Sequence, residues 1–351
     1  MFKLKYTKII GVFIIISLIL TACNKTNENN NESTNKNEKN KVSYLYTANE
    51  SGSISEIDLS TYKITESVKD PGAPHNIQVS PDGSVVGYTS SAKMEKGQTD
   101  QGSMSENGYA IFYETETGKL IKKVEVGKHP AHVVFTNDGK KVLVTNNEDN
   151  NVSILDSKNY SLIKNVAVGK GPHGFRISSD SQFAYIANMG EDTVSIVDIN
   201  NNKEIRKIKV GSTPVTTGVT KDGKTLVVTI NGENAIGIID LSTDKVEKVP
   251  VGVGPAQLYL SADDKFVFVA NQGTEEAPSN SVTKIDLAAK KVAATIQTGK
   301  GSHGVLVSPD NKFVYVTNMY ESTVSIIDYS TNKVIQTITV DGEPNGISIK
   351  E

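Results

Sequence analysis

Residues 168–210 read VGKGPHGFRISSDSQFAYIANMGEDTVSIVDINNNKEIRKIKV, and residues 298–340 read TGKGSHGVLVSPDNKFVYVTNMYESTVSIIDYSTNKVIQTITV. The second stretch restates the first position by position. Each holds a Gly-rich loop followed by four short runs rich in Val, Ile, Tyr and Thr. Self-similarity at a period of about 42 residues specifies an architecture before any local assignment is made. In the first copy the runs are Phe175–Ser178, Phe183–Asn188, Thr193–Asp198 and Glu204–Val210, here called strands a, b, c and d.

Working outward, the loop before strand a recurs as DPGAPHN (70–76), VGKHPAH (126–132), VGKGPHG (168–174), VGSTPVT (210–216), VGVGPAQ (251–257), TGKGSHG (298–304) and VDGEPNG (340–346). Strand b ends in YLYTAN (44–49), VLVTNN (142–147), YIAN (185–188), LVVTIN (226–231), VFVAN (267–271) and YVTN (315–318). Strand c ends in an acid: Asp58, Glu114, Asp156, Asp198, Asp240, Asp286 and Asp328. The runs alternate and are punctuated by Gly, Pro, Asn and Asp, and no segment keeps a helical period. The chain starts on b, c and d and ends on a lone a, Gly346–Lys350. The last strand can therefore complete the first blade and remove an open sheet edge. The fold expected is all-β: a seven-bladed β-propeller of four-stranded antiparallel blades, closed by the C-terminal strand joining the three N-terminal strands. A solenoid would need terminal caps, and the sequence carries none.

Tyr315-Val316-Thr317-Asn318, with the a–b turns Ser80-Pro81-Asp82-Gly83 and Ser308-Pro309-Asp310, resembles the YVTN-family β-propeller proteins. The resemblance spans nearly all of residues 42–351. It implies the fold strongly and the function weakly, because this architecture carries many chemistries. Related seven-bladed folds serve as lactonases, haem-binding nitrite reductase propellers, copper-bearing nitrous oxide reductase propellers and binding scaffolds.

The N-terminus reads differently. Lys3, Lys5 and Lys8 precede an apolar run, Ile9–Leu20, too short to favour a spanning helix. Leu20-Thr21-Ala22-Cys23 resembles a bacterial lipobox, which implies cleavage of residues 1–22 and lipidation of Cys23. Residues 24–41, NKTNENNNESTNKNEKNK, lack any apolar residue and cannot repay the entropy of ordering. They read as a tether, with a composition like that of lipoproteins from Gram-positive bacteria. The expectation is a monomer on the extracytoplasmic face of the membrane, held there by its lipid. Cys23 is the single Cys, so neither disulfides nor Cys-ligated metal hold the domain. A net charge of −3 excludes a broadly basic nucleic-acid binder, and the absence of Trp removes a stacked-Trp carbohydrate platform.

The five histidines, His75, His129, His132, His173 and His303, all fall in the loops entering strand a. In a propeller those loops and the b–c loops share the top face, so the set should converge on the mouth of the central channel. Imidazole suits Zn, Cu, Fe and haem iron. The competing reading is that PHG is simply a turn, its His packed against neighbours. Met189 and Met319 each follow the strand-b Asn by one residue, and Met94 and Met104 sit in the long insertion 90–108. Thioether with imidazole is a soft donor set for copper or haem iron, although Met also serves as adaptable filler. The b–c loops are acidic: Glu50, Glu95, Glu106, Glu148, Asp149, Glu191, Asp192, Glu233, Glu275, Glu276 and Glu321. Grouped carboxylates attract cations; residue by residue, the competing reading is a solvated loop face, and it is the one preferred for any single acid. The Asn ending strand b is expected to bond the b–c turn backbone, and the Asp ending strand c to cap the c–d turn.

No nucleophile elbow, P-loop, dinucleotide fingerprint or His-Glu-x-x-His is present. The leading expectation is therefore a membrane-anchored binding module whose top face takes a small ligand, a metal or a protein. A propeller enzyme, or a haem or copper protein, using channel-mouth His and carboxylates is the alternative. The two differ in what the mouth must contain. Histidines that point away from one another remove the metal version, and a His–carboxylate pair within hydrogen-bond reach favours the enzyme.

Overall fold

The structure is a computed structural model that describes residues 43–92 and 106–351. Cys23, Met94, Glu95 and Met104 lie outside the described residues. Among those described, seven antiparallel sheets of four strands follow one another around a ring. Blade 1 joins the C-terminal strand Pro344–Lys350 to Tyr44–Asn49, Ser53–Asp58 and Lys63–Lys69. Its closing pair runs Tyr44↔Lys350 to Ala48↔Gly346. Blades 2 to 7 are contiguous in sequence, and their inner strands begin at Ala73, Pro130, Pro172, Pro214, Pro255 and Ser302.

The core lies between blades. Val134, Leu143, Val152 and Ile154 of blade 3 pack against Phe175, Ile177, Ile186 and Val197 of blade 4, and six further clusters repeat this around the ring. Sheet alternation explains it, since each strand's two faces both meet a neighbouring blade. The outer strand d has less to cover it and leaves Leu120, Leu162, Ile205 and Ile335 exposed.

Two local expectations are refined. The Asp ending strand c does cap the c–d turn: Asp58, Asp198, Asp240 and Asp328 each accept the backbone N–H two residues on, at 2.7–3.1 Å. The Asn ending strand b does not bond the b–c turn backbone. Asn49, Asn146, Asn188 and Asn318 are fully buried and donate to side chains on strand c, as in Asn188 to Thr193 and Ser195, both at 2.9 Å. Asn146 and Asn318 also accept the N–H of Gly127 and Gly299, which lie just ahead of strand a in the chain. A buried amide with donor and acceptor suits this three-way junction, which pins the top face. Asn231 is not one of them, because Ile230 ends its strand and Asn231 starts a short 3₁₀ turn.

Candidate functional site

Strand a begins at Pro172 rather than at Phe175, because Pro172 already pairs with Asn188 and the chain then bulges before Phe175 pairs with Ile186. The same bulge occurs in blades 2 to 7, as between Pro74 and Ile77 and between Pro130 and Val133. Bulges re-aim side chains. Consequently His75, His132, His173 and His303 sit on strands and not in loops. Only His129 remains in a loop, in a left-handed backbone conformation (φ 48°).

Four imidazoles gather. Ring centroids lie 5.1 Å apart for His75–His173 and for His132–His173, 6.1 Å for His75–His132 and 6.4 Å for His75–His303. One nitrogen from each of His75, His132 and His173 falls within 4.8 Å of the other two. These three come from consecutive blades but not from equivalent positions, since His132 stands one residue further along its strand. His129 faces Glu148 at 3.3 Å.

Hydrogen bonds assign the tautomers. His75 Nδ1 lies 2.7 Å from Glu50 Oε1, a carboxylate that only accepts, so Nδ1 carries the proton. Asn345 donates to the same Glu50 oxygen at 2.6 Å. His173 Nδ1 donates to the Val215 carbonyl at 3.3 Å. The two Nε2 atoms, each a bare lone pair when its ring is neutral, stand 3.1 Å apart. Two acceptors that close need a proton or a cation between them. His132 is fully buried, and neither of its ring nitrogens has a hydrogen-bond partner. Burial, then the neighbouring His173 and His75, pushes His132 well below the ordinary imidazole range. Burial, then His75 and His303, does the same to His173. Both are neutral at pH 7, the form that ligates metal. Burial tends to raise Glu50, but its hydrogen bond to His75, the electrostatic pull of the His75 and His303 rings and the Asn345 bond outweigh that and hold it low.

Thr145 positions two of these residues. Its Oγ1 accepts the N–H of His132 at 3.0 Å and lies 2.8 Å from the His173 carbonyl, to which it donates. The Thr in the middle of the V-T-N run thus ties one blade's inner strand to the next, as Thr317 does between Gly304 and Asn345. Thr145→Val keeps the shape but strands a buried donor and acceptor, and is expected to cost about 1–3 kcal/mol of stability, read by urea unfolding.

The remaining candidates separate. Glu191 accepts from Thr193 and pairs with Lys207, and Asp149 accepts the Lys128 N–H. Asp192, Glu275, Glu276 and Glu321 are exposed. Met319 is half-buried, its Sδ accepting from Gln272 of blade 6 at 3.3 Å, and Met189 is half-buried. Sequence reasoning did not single out Glu50. A signal for it exists: the residue directly after strand b bonds the loop before the next blade's strand or that blade itself, as Asn147 reaches Pro172 and Asn231 reaches Pro255. Glu50 holds that position in blade 1, where Met189 and Met319 hold it in theirs. The other top-face acids lie one or more residues further along.

A family model described as a YNCE-like β-propeller matches residues 103–351. No curated protein sequence matches the chain. Among solved structures, a Kuenenia stuttgartiensis hydrazine synthase chain is similar at 22% identity and a TM-score of 0.68, over 79% of this chain and 89% of that one. A dihydro-heme d1 dehydrogenase, NirN, in complex with DHE, is similar at 14% identity and a TM-score of 0.61, over 87% of this chain and 74% of that one. At these identities the likeness is one of fold.

Proposed function

We propose that this chain, which belongs to the YNCE-like β-propeller family, is a lipid-anchored extracytoplasmic binding protein for a transition-metal ion. The observation that carries the reading is the pair of Nε2 atoms of His75 and His173, 3.1 Å apart beside the unpartnered, buried His132. Around a tetrahedral ion with bonds of about 2.0–2.1 Å, ligand nitrogens stand about 3.4 Å apart. Two are already near that spacing, and His132 closes on the ion as it binds. Three imidazoles suit Zn²⁺ or Cu²⁺, and they leave coordination positions for a further ligand. Glu50 supports the site from behind: a carboxylate on Nδ1 fixes the tautomer and raises the basicity of Nε2. Anchoring rests on the lipobox-like sequence at Cys23.

The Glu50–His75 pair at 2.7 Å also favours a second reading, in which an open metal position or the dyad itself carries acid–base chemistry. The distances tie Glu50 to His75 and to Asn345, which is the arrangement of a supporting group; binding therefore stands first.

The test is elemental analysis and Zn²⁺ and Cu²⁺ titration of the purified chain, alongside His173→Ala. We expect about one equivalent of metal for the wild type and a loss of tight binding in the variant. Equal metal content in both, or none in either, defeats the metal reading.

A further inference from the structure

Among the described residues, the lower half of the channel holds a cation without a counter-ion. The seven inner strands, APHNIQV, PAHVVF, PHGFRI, PVTTGV, PAQLYL, SHGVLV and PNGISIK, contain no Asp or Glu. Their charged residues are Arg176 and the terminal Lys350. Arg176 is half-buried. One guanidinium nitrogen donates to the Phe175 carbonyl at 2.9 Å, and the group lies 5.5 Å from the centre of the Tyr259 ring. Among the described residues no carboxylate pairs with it. Most of its five donors are therefore free. A charge partly withdrawn from water is disfavoured unless it is paired, so its place here calls for a partner.

Arg176 lines a cavity of 390 Å³ at the lower mouth, opposite the histidines, bounded by residues of five blades. Tyr259, Leu258, Leu260 and Val219 give it apolar walls. Its one carboxylate, Asp264, accepts the Lys221 N–H at 2.7 Å at the rim. Lys221 Nζ is bonded to the Ala262 carbonyl, so Arg176 is the free cation of the cavity among the described residues.

We propose that this cavity binds a small organic carboxylate, the Arg176 fork holding the carboxylate and the apolar walls its carbon body. A planar guanidinium matches two carboxylate oxygens at once, and a stacked ring holds the fork in orientation. The apolar lining selects an organic acid over inorganic phosphate.

The experiment uses chelator-treated full chain, so that no anion response comes from metal at the histidines and the outcome is independent of the metal reading. Thermal unfolding and calorimetry are run with benzoate, hexanoate and phosphate against chloride at matched ionic strength. We expect at least one carboxylate to raise Tm and to bind at least tenfold more tightly than phosphate. Arg176→Met is expected to lose that response while unfolding at or above the wild-type Tm without added anion. Arg176→Lys, which keeps the charge without the fork, should bind at least tenfold more weakly than wild type. No carboxylate response in the wild type overturns the proposal. So does a wild-type response in Arg176→Met, or a preference for phosphate.

Discussion

His132→Ala is expected to weaken Zn²⁺ or Cu²⁺ binding by about 100-fold or more, an effect of the size expected for each of the three histidines. Apparent zinc affinities of about 10–16 kcal/mol for a four-ligand site put one ligand at about 3 kcal/mol. His132 is informative because it makes no hydrogen bond that its loss would break. The variant therefore removes a donor and leaves a dry gap, without orphaning another group. Glu50→Gln is expected to cost less, about 10- to 100-fold, since it acts through His75. His129→Ala should leave affinity unchanged, because that ring faces Glu148. Competition titration with a chromophoric chelator reads all three. The ranking is the content of the prediction: His132→Ala binding like wild type, or His129→Ala binding like His132→Ala, contradicts the three-histidine centre.

The metal-free chain is expected to lose stability as pH falls from about 6.5 to about 4, through its histidines. Burial, then His75, brings His303 down from 6.5 to about 4, against weaker support from Glu50 and the Asn345 backbone. A depressed histidine pKa means that the unfolded chain binds the proton first. Between the two values the unfolded state holds more protons, so stability rises with pH there and falls on acidification. The full excursion corresponds to roughly 3 kcal/mol for His303 alone. His132 and His173, depressed by the same burial, act in the same direction. Urea unfolding at pH 7 and pH 4 checks this, with His303→Gln as reference. The variant should lose less stability than wild type by roughly that amount. Identical losses would mean that His303 does not titrate differently in the two states. Saturating Zn²⁺ should narrow the acid-labile window, because protons and metal compete for the same nitrogens.

How much of this was legible in the sequence follows from what repetition can encode. The period, the four runs per repeat and the offset termini specify seven closed blades. Each of those features is local or recurs, and strand pairing within a blade is short-range. The histidines could be assigned to one end of the channel for the same reason. Their presence on bulged strands was not legible, because PHG reads as a turn until Pro172 is seen to pair with Asn188. Nor was the choice among acids. Glu191 and Glu233 read much like Glu50, yet Lys207 and Lys248 occupy them. In blade 1 the register position of Lys207 and Lys248 is held by Ser67, which donates to Asp341, and Lys69 pairs with Asp341 as well. Glu50 is left to turn to His75.

The sequence by itself determined the ring: how many blades, how it closes, and which end carries the imidazoles. Only the tertiary structure decided which residues meet. Glu50 and Asn345 are 295 positions apart and come within 2.6 Å only because the chain's two ends complete one blade. His75, His132 and His173 meet because three blades converge at the axis. A repeat makes blades equivalent, and a site needs them to differ. The differences act across the channel, over distances in space that no spacing along the chain records.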